Sequence, residues 1–274
     1  MNSIYRDQEA RFLPYLTGPQ VKEIADKEEA VVVLPVGSIE QHGPHLPVYT
    51  DSILPLETLN LALSRLPDDF PAWFLPVVPY GKSNEHAERA GTFTLSTETF
   101  IQVLMEIGRS VARNGFKRLL ILNGHGGNVE VVELALRDLR EETDLYTFGL
   151  NTFALARSVP PAPDWSEDEA LLGIHSGAGE TSKLLHICPE LVHMDLAPES
   201  LPRHLTRFIE SPFRGPLSFG WMIGDLTSTG VVGNPKTADA EWGELVLSHG
   251  ADELADLIRT ISVFEFEPQE EAGK

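Results

Sequence analysis

Ala30-Val31-Val32-Val33-Leu34-Pro35-Val36-Gly37 runs directly into Ser38-Ile39-Glu40-Gln41-His42-Gly43-Pro44-His45-Leu46-Pro47-Val48-Tyr49-Thr50-Asp51. The first part is apolar without alternation, the pattern of a strand buried on both faces of a parallel sheet. Polar residues then emerge at the strand's end, where open α/β sheets keep their sites. In extended backbone Glu40 and His42, two apart, point to one side and Gln41 to the other. Together with Asp51 they could hold a metal.

The same pattern recurs downstream. Trp73 to Tyr80 reads as a second apolar strand that runs into the polar loop Gly81-Lys82-Ser83-Asn84-Glu85-His86, and Lys117 to Leu122 as a third that runs into Asn123-Gly124-His125-Gly126-Gly127-Asn128. Tyr146 to Phe153 is a fourth strand candidate. Between the strands lie helical segments: a short one over 19–29, then Asp51 to Leu66, Thr97 to Asn114, and Val129 to Glu142. In the third of these, Phe100, Val103, Leu104, Ile107 and Val111 keep helical spacing, and Asn114-Gly115 is a helix stop. Alternating strands and helices predict an α/β fold around a mostly parallel sheet.

Residues 158–169, Pro-rich and acidic, read as a surface loop. Gly173-Ile174-His175-Ser176-Gly177-Ala178-Gly179-Glu180 then leads into a helix with Glu180 in its first turn. Residues 196–238 form an irregular excursion, a lid or a subunit contact. A long helix from Ala238 to about Phe264 closes the chain before a charged tail from Glu267 to Lys274.

A length of 274 residues predicts one large domain over 1–274, with its core at about 18–262. Twenty-one Lys and Arg against 41 Asp and Glu give a net charge of −20, which disfavours nucleic acid and anionic membranes as partners. Cys188 is the sole cysteine, so no intrachain disulfide can form. With no apolar leader pattern and no run of about 18 apolar residues, the expectation is a soluble, cytoplasmic protein.

The junctions near residues 37, 80, 122 and 172 deliver Glu40, His42, Asp51, Glu85, His86, His125, His175 and Glu180. In a parallel sheet such junctions share one edge, so these groups can converge. Mixed His and carboxylate ligands suit zinc, manganese or iron, and a carboxylate can bridge two ions about 3.5–4 Å apart. Each residue also has a structural reading. His42 suits a hydrogen-bonded loop position, and Asp51 and Glu180 suit helix starts, where the dipole favours a carboxylate. His45 reads as a support for its neighbours. His186, His193, His204 and His249 lack companions, and Cys188 reads as packing.

The stretch from Leu34 to Pro47 with Asp51, then Asn123 to Asn128, then His175 with Glu180-Thr181-Ser182, resembles the creatininase family over roughly residues 18–262. The resemblance implies a flavodoxin-like three-layer α/β/α sandwich and a metal-dependent amidohydrolase that assembles as a homohexamer. By position, Glu40, Asp51 and His125 would hold one divalent ion, and His42 with Asp51 the other, with Zn2+, Mn2+ or Fe2+ as the ions. His175 matches the family's catalytic histidine, which would protonate the departing nitrogen after attack by a metal-bridged hydroxide.

In the family's creatinine amidohydrolase, a glutamate two residues after the histidine of the third motif completes the second site. Gly127 stands there in this chain, and Glu180 is the expected replacement; if it is no ligand, it is the general base. Leu171-Leu172-Gly173-Ile174 replaces the tryptophan that walls creatinine just before the catalytic histidine, so the expected substrate is a small cyclic or formyl amide other than creatinine. A peptidase-like member, a metal-binding protein without turnover and a two-metal phosphoesterase are the alternatives. Trp165 and Trp221 reach the site only if the stretches carrying them fold over it.

Overall fold

The computed structural model describes residues 6–24, 26–213 and 215–267. A four-stranded sheet lies at its centre: β1 (Val31–Val36), β2 (Ala72–Phe74), β3 (Arg118–Asn123) and β4 (Tyr146–Asn151). Its order is β2-β1-β3-β4, every neighbouring pair is parallel, and Val33 of β1 stands opposite Leu120 of β3.

Strand periodicity assigns the two faces. Val31, Val33, Leu120 and Leu122 point into one core with Leu59, Leu63, Leu254 and Ile258. Val32, Leu34, Leu119 and Ile121 point into the other with Phe100, Leu104, Val132 and Leu139. The helices behind these residues are, in chain order, α1 (Gly18–Glu23), α2 (Thr50–Ser64), α3 (Thr97–Arg113), α4 (Val129–Glu142), α5 (Glu167–Leu172), α6 (Ala178–Ile187), α7 (Ile223–Leu226) and α8 (Ala240–Val263). Thus α2 and α8 cover one face while α3 and α4 cover the other, the three-layer sandwich expected. Each fully buried Leu or Phe in these layers contributes about 2 kcal/mol.

The start of α2 presses onto the sheet edge. A Cβ added to Gly37, just past β1, would lie 2.6 Å from the Asp51 carbonyl oxygen, and one on Gly124, just past β3, 2.3 Å from the same atom. Only glycine permits that approach at both strand ends. Pro55 contributes to it: lacking an N–H, it returns no helical hydrogen bond to the Asp51 carbonyl.

Several expectations need correction. The strand expected over 73–80 shrinks to Ala72–Phe74 plus a single bridge between Val36 and Val78, because Pro76 and Pro79 offer no N–H to the ladder. The helix expected over 19–29 ends at Glu23. The loop expected over 158–169 gives way at Glu167 to α5, where the Ser166 hydroxyl accepts the Glu169 N–H and caps the first turn. The junction near 172 is therefore a helix end, and His175 instead pairs antiparallel with Val232, from the 196–238 excursion. The tail beyond Glu267 lies outside the described residues.

Candidate active site

Glu40 and His42 leave β1, Asp51 sits in the first turn of α2, and His125 follows β3. Glu180 lies in the first turn of α6, and Glu85 and His86 in a 3-10 turn after β2. All except Glu85 and Glu180 are buried. The structure brings every one of the expected site residues into a single cluster.

The Asp51 carboxylate stands between two imidazoles, with Oδ1 3.3 Å from His42 Nε2 and Oδ2 3.0 Å from His125 Nδ1. Glu40 Oε2 is 3.3 Å from His125 Nε2, and its Oε1 is 3.5 Å from His175 Nδ1. Glu180 Oε2 is 3.8 Å from His42 Nε2 and accepts the Ser176 N–H at 2.6 Å. Glu40–Asp51–His125 and His42–His175–Glu180 are each compact enough to hold an ion, every donor atom within 4.8 Å of the others.

Backbone carbonyls set the proton positions. His42 Nδ1–H donates to Glu40 O at 3.1 Å, His125 Nε2–H to Lys82 O at 3.0 Å, and His175 Nε2–H to Gln41 O at 2.9 Å. A neutral ring that donates from one nitrogen carries a lone pair on the other. Those lone pairs face carboxylates: His42 Nε2 and His125 Nδ1 face Asp51, and His175 Nδ1 faces Glu40. Lone pair against carboxylate is repulsive unless a cation or a second ring proton lies between, and Glu40 Oε1, His42 Nε2 and Asp51 Oδ2 are buried with no hydrogen-bond partner. This donor set fits divalent ions.

The electrostatics express the same demand for positive charge. Burial opposes charge on His42, but the carboxylates of Asp51, Glu180 and Glu40 outweigh it and raise its pKa to about 10. His125 is likewise raised, against burial, by Glu40 and Asp51. Burial raises Glu40 to about 7, while Asp51 is held below the usual carboxylate range because His42 and His125 outweigh its own burial. His175 goes the other way: burial, then His42 and His86, push it well below the usual imidazole range, so it is neutral.

Sequence reasoning gave no role to three neighbours. Ser83 Oγ donates to Glu40 Oε2. The Gln41 amide donates to His86 Nδ1 at 2.9 Å and to Gly230 O at 3.0 Å, tying the loop after β1 to the excursion. Lys183, one turn after Glu180 on α6, is half-buried, and burial lowers its pKa against the pull of Glu180 and Asp51; the i,i+3 spacing from Glu180 was the available signal. His45 lies 3.1 Å from the Thr181 hydroxyl, and burial lowers its pKa to about 4, as suits a neutral support for α6. Cys188 is buried packing, with burial raising its thiol to about 11.

The excursion folds over this cluster. Arg89 donates to the Thr227 and Ser228 carbonyls, and Trp221 meets His86 edge-on at 6.3 Å between ring centres. Trp165 instead packs on Trp242, 4.5 Å between ring centres. Glu169 pins the excursion to α6, its buried carboxylate accepting the Ala178 N–H at 2.7 Å and the Asn234 N–H at 2.5 Å. Glu169→Ala leaves both donors unpaired and is expected to cost about 3 kcal/mol, lowering the calorimetric midpoint by roughly 8 °C. An unchanged midpoint would show that this pin contributes nothing.

The family model described as "Creatininase: Creatinine amidohydrolase" matches residues 14–258. The chain belongs to the creatininase family. It is 34% identical over 233 residues to the mycofactocin precursor peptide peptidase of Mycobacterium ulcerans (strain Agy99), covering 83% of this chain and 84% of that protein. It is 30% identical over 266 residues to the creatinine amidohydrolase of Pseudomonas putida, covering 90% of this chain and 96% of that protein. Among solved structures, the manganese form of creatininase superposes with a TM-score of 0.73 at 28% identity, covering 91% of this chain and 97% of that one. This creatininase-family chain is thus a hydrolase of the amidohydrolase kind, and no helix among its described residues is long and apolar enough to cross a membrane.

Proposed function

We propose that this creatininase-family enzyme hydrolyses an amide C–N bond with two divalent ions, Glu40, Asp51 and His125 holding one and His42, Asp51 and Glu180 the other. The observation that carries this reading is the set of imidazole lone pairs locked toward buried carboxylates by backbone carbonyls. Zn2+, Mn2+ or Fe2+ bound there would acidify water and polarise the amide carbonyl. The chain's own residues supply the rest. His175 is neutral and anchored through Nε2, so its Nδ1 takes a proton from the attacking water and passes it to the departing nitrogen, a poor leaving group until protonated. The Ser176 N–H orients Glu180, and Ser83 orients Glu40.

The substrate we infer is a peptide bond in a short peptide. Identity to the mycofactocin precursor peptide peptidases supports this, as do the exposed apolar side chains Val48, Tyr80 and Phe93 on the loops that carry the site, suited to a peptide's flanking residues. A small cyclic or formyl amide is the second reading, favoured by the depth at which Glu40, His42 and Asp51 lie. A phosphoester fits poorly because the nearby cations are engaged: Lys82 donates to Asn84, Arg89 to two carbonyls, and Lys183 is held by the charge of Glu180.

The test is release of amine by the zinc- or manganese-loaded protein from a panel of short peptides, formamides, hydantoins and creatinine, with phosphate esters alongside. Metal-dependent cleavage of a peptide or an amide is expected. Silence on every amide and peptide by fully loaded protein would overturn the proposal.

A further inference from the structure

Position 127 lies beside His125. A Cβ built on Gly127 would sit 2.6 Å from His125 Nε2, 2.5 Å from Glu85 Oε1 and 2.4 Å from Lys82 O. The space that a side chain at 127 would enter is therefore already taken, by a carboxylate and a carbonyl from the loop after β2. Glu180, by contrast, reaches His42 from α6. Glu180, the residue expected to complete the second site with His42 and Asp51, thus stands on the His42 side.

Glu85 approaches the Nε2 edge of His125, with Oε1 3.5 Å away, while Nδ1 of the same ring faces Asp51 at 3.0 Å. Its side chain is only 16% exposed, and the neighbouring Lys82 ammonium donates to Asn84. The Glu85 carboxylate is therefore directed at an imidazole and not toward solvent. Negative charge behind a ligating imidazole fixes the ring and makes its other nitrogen a stronger donor.

We propose that Glu85 is a positioning residue for His125 that strengthens ion binding by Glu40, Asp51 and His125. This rests on the reading that those three residues hold an ion. Two carboxylates from separate elements, Glu85 after β2 and Glu180 on α6, then divide the work around Asp51.

Glu85→Gln keeps the shape of the side chain and removes its charge. The full chain, stripped of metal, is titrated with zinc against a chromophoric chelator. In the variant one zinc site is expected to weaken by roughly 10- to 100-fold, with the other changed by less than about twofold and the melting of the metal-free protein unchanged. Cobalt substitution adds a spectroscopic readout: the visible bands of one site shift and those of the other do not. Unchanged zinc affinity at both sites would overturn the assignment to Glu85 while leaving the two-ion reading standing. Failure of the unsubstituted protein to bind zinc or cobalt would overturn both.

Discussion

Asp51→Ala is expected to empty both ion sites and to lower amide hydrolysis by at least about a thousandfold. Asp51 is the carboxylate that stands between His42 and His125, at 3.3 Å from the first and 3.0 Å from the second. Two cations side by side repel, and an anion between them is what makes that arrangement tenable. Without it, His42 keeps only the more distant Glu180, and His125 keeps Glu40 and Glu85 around its other nitrogen. Elemental analysis of the purified variant is the decisive measurement. Two ions per chain in Asp51→Ala would defeat the bridging role, and one would reduce Asp51 to a ligand of a single site.

His175→Ala should behave in the opposite way, losing roughly 10²- to 10⁴-fold in kcat with metal content intact. The ring is tied through Nε2 to Gln41 O and its backbone is paired with Val232, so its geometry serves a proton-transfer role. Its neutral state at ordinary pH leaves Nδ1 free to accept a proton. Yet His175 also closes a group with His42 and Glu180 that could hold an ion. The two roles separate cleanly: a variant that loses one ion along with turnover places His175 among the ligands, whereas a fully loaded, slow variant keeps it as the proton carrier.

Local pattern was enough to find most of the scaffold. The spacing of Phe100, Leu104, Ile107 and Val111 and the apolar run of β1 report directly on burial, so α3 and β1 could be read from neighbours in sequence. What stayed hidden depends on distant partners. The α5 helix is too short for a periodic signal and follows a Pro-rich stretch, and its Glu169 looks like a surface acid until the Ala178 and Asn234 N–H groups meet it. Likewise, the Glu-x-His spacing showed that Gln41 points away from its neighbours, but not that it would reach His86 and Gly230. Nor did Gly127 show that Lys82 and Glu85 crowd it, because the loop that carries them lies on the far side of β1.

The contact of the first turn of α2 with Gly37 and Gly124 bears on how this architecture can change over time. Glu40, His42 and His125 leave from adjacent strands, and Asp51 is wedged against the ends of both, so the spacing of these four groups is inherited from the sheet itself. The part of the excursion that brings Trp221 over the cluster, ahead of the Val232 pairing with His175 and the Asn234 tie to Glu169, carries none of that responsibility. It can be lengthened, shortened or rewritten for a new substrate while the hydrolytic centre beneath it keeps its dimensions.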